Sequence, residues 1–145
     1  MYIDVLPLDE VKLFLKIDDD QNETDAEITA MINAALQFIE KRTNIIMFAR
    51  NHAYIGSSFV NVYDYPINTP DAGQKRNFYS IVPTTNGEVT LNVGYLSSLD
   101  IPFDLKQAAL QMIKVWFYES EKQINTSLIP TNVIEVIDAN RRFIC

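Results

Sequence analysis

The chain has 145 residues, of which 48% are hydrophobic and 21% are charged. This composition is that of a folded domain with a sizeable core, and it excludes an intrinsically disordered chain. The net charge of −7 disfavours a protein that grips nucleic acid, because phosphates are bound through Lys and Arg, although DNA can slide past such a surface without sticking.

The sequence gives no indication of an oxidised, secreted or membrane-bound protein. Its single cysteine, Cys145, excludes a disulfide framework or a thiolate metal site within one chain and fits a reducing cytosol. The amino-terminal segment has no positive region followed by an apolar run, so no secretory signal is expected. The longest uncharged apolar runs fall short of the about 20 residues that a membrane-spanning helix needs.

Two helices are predicted in the first third of the chain. A short helix over 8–16 follows Pro7, and a polar break follows it. Thr24 and Glu27 have the spacing of a capping box, which predicts the start of a long helix over 24–42. Its apolar residues recur at helical spacing; they are Ile28, Met31, Ile32, Ala35 and Ile39.

The segment 45–95 is predicted to be a β-rich insertion. β-branched and aromatic residues dominate it and are interrupted by Gly, Pro and Asn. Asn86-Gly87 predicts a hairpin turn, since both residues tolerate positive φ. After this turn, apolar and polar residues alternate over 88–93, as in a strand with one buried face. The loop 66–77 is predicted to be exposed.

A third helix is predicted over 102–119, beginning near Pro102. Polar residues occupy only one narrow stripe of it, which contains Asp104, Gln107, Gln111 and Lys114. The apolar face is therefore roughly twice the width of about 100° that a surface helix shows. Such a helix is either central in its domain or contacts another protein with part of that face.

A fourth helix over 130–141 follows a linker, begins with Pro130 and ends in cationic residues. The element order predicts a mainly α protein with a small antiparallel β insertion (α+β). In this fold about four helices form a bundle, and the β-hairpin or sheet lies between the second and third. The whole chain, 1–145, is predicted to be one domain.

No motif predicts catalysis, a metal or a cofactor. The run Asp18-Asp19-Asp20 lacks the Gly and Glu that a calcium loop needs at its sixth and twelfth positions. His52 lies in a strand-like run without partner ligands, and no activating environment is evident for Cys145. The chain is therefore predicted not to be an enzyme, although an active site assembled from scattered Asp, Glu and Tyr stays open as an alternative.

Three stretches together resemble the small head–tail connector (head-completion adaptor) proteins of tailed bacteriophages. Residues 8–44 have the family's short helix, acidic break and long helix. Residues 88–121 have its strand ending in tyrosine, followed by a proline-led apolar helix that closes in Tyr-Glu. Residues 129–143 have its last helix, which begins with proline and ends in arginine. Ser120-Glu121-Lys122 stands where the family often has an arginine, so an ion pair there is not inherited.

The resemblance implies a structural virion protein that forms a ring at the head–tail junction. Such a ring joins the portal to the tail or stopper and extends the DNA channel. The implied partners are further copies of the chain (a dodecamer on the portal), the portal protein and the tail or stopper protein. DNA would pass without specific binding, and synthesis would take place in the host bacterial cytoplasm. The alternative is a small non-enzymatic adaptor or regulatory module that binds another protein.

Within this reading, three groups of residues are candidate contacts. Trp116, Phe117 and Tyr118 are candidates for the contact between protomers. Other residues are candidates for contact with the portal or a neighbouring ring; they are Arg141, Arg142 and Phe143 in the tail from Asn140 to Cys145, and Lys75 and Arg76 in the loop 66–77.

Overall fold

The computed structural model describes residues 1–55, 60–62, 64–68, 79–81 and 88–142. Its helices lie within two residues of their predicted bounds, so the predicted α+β class with four main helices is confirmed. The helices are α1 (Leu8–Leu15), α2 (Asp25–Thr43), α3 (Phe103–Tyr118) and α4 (Thr131–Ala139), with short 3-10 turns at Tyr2–Asp4 and Thr126–Leu128. No helix within these described ranges is long and apolar enough to span a bilayer.

α3 is the central helix of the bundle, and this position explains its wide apolar face. It packs against α1, α2 and α4. Except for Phe103 and Tyr118 at its two ends, every apolar residue of α3 is buried. The buried residues are Leu105, Ala108, Ala109, Leu110, Met112, Ile113, Val115, Trp116 and Phe117. Burial within the chain therefore accounts for most of this face without a partner protein.

The start of α2 differs from the prediction, because Thr24 and Glu27 form no capping box. Thr24 has φ −109° and ψ 9°, and its side chain makes no capping hydrogen bond. A capping side chain needs an extended residue in order to reach the free N–H groups of the first turn. Instead the Asp25 carboxylate lies 3.0 Å from the Lys12 ammonium and ties this turn to α1. The apolar stripe of α2 is buried as predicted.

The β insertion contains two antiparallel sheets. The strands are β1 (Arg50–Ile55), β2 (Val60–Val62), β3 (Ile67–Asn68), β4 (Tyr79–Ile81) and β5 (Glu88–Val93); the three-stranded sheet has the order β1-β5-β3, and β2 pairs with β4. The described residues of β4 pair with β2, and β5 pairs with β1 and β3, while the predicted hairpin at Asn86-Gly87 would pair β5 with residues 82–85, which lie outside the described ranges. The turn itself lies outside the described residues.

The end of β5 joins the sheet to the helical core. Leu91 and Val93 are buried and Thr90 is exposed, which confirms the predicted alternation over these positions. Gly94 follows with φ +105°, and a Cβ on it would lie 2.1 Å from the Phe48 carbonyl oxygen. Only glycine fits this close approach, after which Tyr95 enters the helical core with 3% of its surface exposed.

Candidate interaction surfaces

A bidentate ion pair joins the carboxyl-terminal ends of α2 and α4. Arg42 donates from Nε to Asp138 Oδ1 at 2.6 Å and from Nη2 to Oδ2 at 3.1 Å. The hydrogen bond from Arg42 lowers the pKa of Asp138. Since both side chains are exposed, the pair serves mainly to fix the orientation of the two charged groups.

Arg142 is bound to its own fold at the same end of the molecule. Its amide N donates to the Thr43 carbonyl at 2.8 Å, and its carbonyl accepts from Asn44 Nδ2 at 2.7 Å. Its guanidinium lies 4.7 Å from the centroid of the Tyr65 ring, and burial lowers its pKa. Arg142 therefore anchors the tail to α2, whereas the neighbouring Arg141 is exposed.

Beside this anchor, one face of α2 lines a pocket of about 410 Å³ with Phe38, Lys41, Arg42 and Arg141. We call it the cationic pocket. The Arg42 guanidinium lies 5.9 Å from the centroid of the Phe38 ring. The pocket thus combines an aromatic centre with three cations, a combination suited to acidic side chains that flank an apolar one.

An acidic groove lies near the other end of α2. This groove, of about 440 Å³, is lined by Asp9, Glu10, Leu13, Ile17, Asp18 and Asp19. Among these residues Leu13 is 77% exposed, and Glu10 forms an ion pair of 2.7 Å with Lys106.

The loop after α1 surrounds the side-chain ammonium group of Lys12. Lys12, which is 3% exposed, donates from Nζ to the carbonyls of Asp19 at 3.1 Å and Gln21 at 2.7 Å, and pairs with Asp25. Backbone oxygens of the acidic run therefore converge on Lys12. Within the described part of the chain, no group of three or more His, Cys, Asp or Glu side chains could hold a metal ion.

The three residues predicted to contact a neighbouring protomer differ in exposure. Trp116 is fully buried, and its indole N–H donates to the Asn125 carbonyl at 2.8 Å. Phe117 is 8% exposed, whereas Tyr118 is 54% exposed and donates from its hydroxyl to the Leu15 carbonyl. Of the three, Tyr118 has most of the surface that a neighbour could reach, and the contact itself stays a prediction.

An exposed apolar groove between α3 and α4 was not predicted from the sequence. It has a volume of about 300 Å³ and is lined by Phe103, Asp104, Gln107, Ala108, Gln111, Asn132, Val133 and Val136. Phe103 is 75% exposed and Val136 is 37% exposed. Residues of the polar stripe of α3 line this groove. The one sequence feature that could have indicated the groove is Phe103, an aromatic residue next to that polar stripe.

The remaining candidate residues lie elsewhere or outside the described ranges. His52 is exposed on β1, with its ring 4.8 Å from that of Tyr54. Lys75, Arg76, Phe143 and Cys145 are outside the described residues.

Comparison with known proteins gives a family match and several structural neighbours, two of which are described below. The family described as phage gp6-like head-tail connector protein matches residues 6–140. A chain from the neck of an empty GTA particle, computed with C6 symmetry, has 20% identity and a TM-score of 0.65, and the alignment covers 97% of this chain and 91% of that chain. A chain from the virion of the native gene transfer agent (GTA) particle has 17% identity and a TM-score of 0.66, with the same coverage. No curated protein matches the sequence.

Proposed function

The chain belongs to the family of phage gp6-like head-tail connector proteins, and from this premise we propose that it forms a ring that joins the portal to the tail or stopper and extends the DNA channel. As a member of this family it is a structural virion protein of the head–tail junction. The single observation that carries this conclusion is the family match over residues 6–140.

The proposed ring is supported by one of the structural neighbours. That chain comes from the neck of an empty GTA particle, and the structure of this neck was computed with C6 symmetry. Such symmetry accommodates six or twelve copies, and we propose a dodecamer on the portal. A closed ring needs two different, mutually complementary surfaces on each protomer. The described residues carry charged surfaces of opposite sign, the cationic pocket and the acidic groove.

We propose that DNA passes through the ring without specific binding and that the chain has no catalytic role or cofactor. The net charge of −7 supports the first point, because an acidic lining repels phosphate. The absence of catalysis is what a structural connector implies. We also propose that the protein is made in the cytoplasm of a host bacterium and that it has no membrane partner.

For the portal contact we propose the tail from Asn140 to Cys145, with Arg141 as its exposed cation among the described residues. Arg142 would hold this tail in place through its bonds to Thr43 and Asn44. The predicted exposed loop 66–77 is wrong at its start, because Ile67 lies in β3 and is fully buried. Lys75 and Arg76, which come after this strand and lie outside the described residues, are proposed to contact the next ring or the channel rim.

Deletion of the gene from its phage or prophage tests the proposed function by electron microscopy of the particles. We expect heads that lack DNA beside free, finished tails, because an open portal neither retains DNA nor binds a tail. A plasmid copy of the gene should restore joined particles. Normal, infectious particles from the deletion strain would overturn the proposal.

A further inference from the structure

We propose that the acidic groove of one copy docks into the cationic pocket of the next copy, so that charge complementarity closes the ring. This inference rests on the proposed function, which supplies the ring, and adds the two surfaces that meet in it. The partner is therefore a second copy of this chain.

The cationic pocket has the chemistry of a receptor for acidic side chains. Phe38, Lys41 and Arg42 stand at spacings of three and four residues, so they share one face of α2. Asp138 pairs with Arg42, but Lys41 forms no ion pair with any residue that the structure describes. Lys41 is therefore a cation of the pocket that a carboxylate from another copy can pair with, beside the Arg42–Asp138 pair.

The acidic groove has the complementary chemistry. Lys106 neutralises Glu10, whereas Asp9, Asp18 and Asp19 form no ion pair within the described ranges. Leu13 lines the same groove with 77% of its surface exposed. Docking would place Leu13 against Phe38 and the carboxylates against Lys41, which satisfies apolar and charged groups together.

The two surfaces lie toward opposite ends of α2 and cannot meet within one chain. The ion pair between Lys12 and Asp25 fixes the acidic groove beside the first turn of this helix. Lys41 comes 16 residues after Asp25, a distance of about 24 Å along a helix that rises 1.5 Å per residue. Contact between two different patches is heterologous, and it closes into a ring when the rotation between copies allows.

Charge reversal of each surface tests the proposal with purified chain and purified portal rings. One variant is Lys41→Glu, the second is Asp18→Lys with Asp19→Lys, and the third combines all three changes. Matched controls reverse exposed charges elsewhere, with Lys114→Glu on α3 and Glu135→Lys on α4. Arg141 is left unchanged so that the proposed portal contact is kept. Copies per portal are counted by cryo-electron microscopy, and complexes in solution are weighed by native mass spectrometry.

We expect each surface variant to need at least about tenfold more protein for ring closure, since like charges would face each other across the contact. The combined variant should recover most of this loss because the reversed charges again attract. Rings that close equally well with either surface reversed would overturn the inference and leave the proposed function standing. Failure of the wild-type chain to assemble on the portal would overturn both.

Discussion

The indole N–H of Trp116 donates a 2.8 Å hydrogen bond to the carbonyl of Asn125 across the turn that follows α3. The bond lets a fully buried Trp satisfy its only donor, so the side chain can fill the centre of the bundle without an unpaired polar group.

Trp116→Ala should lower the free energy of unfolding by about 3–5 kcal/mol, because it leaves a large cavity in the core. Urea denaturation followed by circular dichroism measures this change. Tyr118→Phe, at the exposed neighbouring position, is the control and should cost about 1 kcal/mol or less through loss of its bond to the Leu15 carbonyl. Equal losses for the two variants would contradict the central position of Trp116.

Gly94→Ala should destabilise the protein by about 2–4 kcal/mol, through its positive φ and the clash of the new methyl group with the Phe48 backbone. Lys16 also has a positive φ, of 61°, but it is exposed at the end of α1. Lys16→Gly should therefore leave stability unchanged or raise it by up to about 1 kcal/mol. Thermal unfolding of both variants tests the contrast, and a neutral Gly94→Ala would show that Phe48 can move away.

The helices could be predicted from the sequence because each carries its own periodic apolar pattern. The width of that pattern on α3 left two interpretations open, a central helix or a contact with another protein, and its packing against α1, α2 and α4 decides for the first. The pairing of β4 could not be predicted, since a local turn signal such as Asn86-Gly87 does not say which distant strands will pair. The capping box failed because Thr24 does not have the extended backbone that a capping side chain needs, and its spacing to Glu27 in the sequence does not fix that backbone conformation. The cationic pocket was missed because it joins residues far apart in sequence, such as Lys41 and Arg141.

Lys12→Met should lower the free energy of unfolding by about 2–3 kcal/mol, because it leaves two loop carbonyls and the Asp25 carboxylate without their common donor. Methionine keeps the apolar part of the side chain, so the loss reports mainly the charge. Lys16→Met is the matched control at an exposed position and should change stability by less than about 0.5 kcal/mol. A similar small effect at Lys12 would mean that water or another cation replaces the ammonium group.

Stability should fall as the pH rises above the ordinary tyrosine pKa of about 10. Burial raises the pKa of Tyr2 to about 12, with a further contribution from its hydrogen bond to Glu40. Between about pH 10 and 12 the folded state therefore binds more protons than the unfolded state. The contribution of Tyr2 to the free energy of unfolding is fully present below about pH 10 and is lost as the pH rises through this window to about 12. Burial also raises the pKa of Tyr54 and Tyr95.

Urea denaturation at a series of pH values tests this dependence. Tyr2→Phe removes one titrating group, so its stability should fall less steeply across the window than that of the wild type. An identical slope in the two proteins would show that folding does not raise the pKa of Tyr2.

Variants of Arg141 and Arg142 should affect portal attachment and stability differently, because Arg142 is anchored to Asn44 and Tyr65, whereas the Arg141 side chain is exposed. Arg142→Glu should cost about 1–2 kcal/mol through loss of the stacked guanidinium. Arg141→Glu should change stability by less than about 1 kcal/mol, as expected for an exposed side chain, yet abolish binding to purified portal rings.

Denaturation and portal co-sedimentation measure the two effects, and Arg141→Lys, which keeps the charge, should retain binding. Full attachment of the Arg141→Glu chain would remove this residue from the proposed portal contact, whereas loss of attachment with a native unfolding midpoint would assign it a direct role in binding.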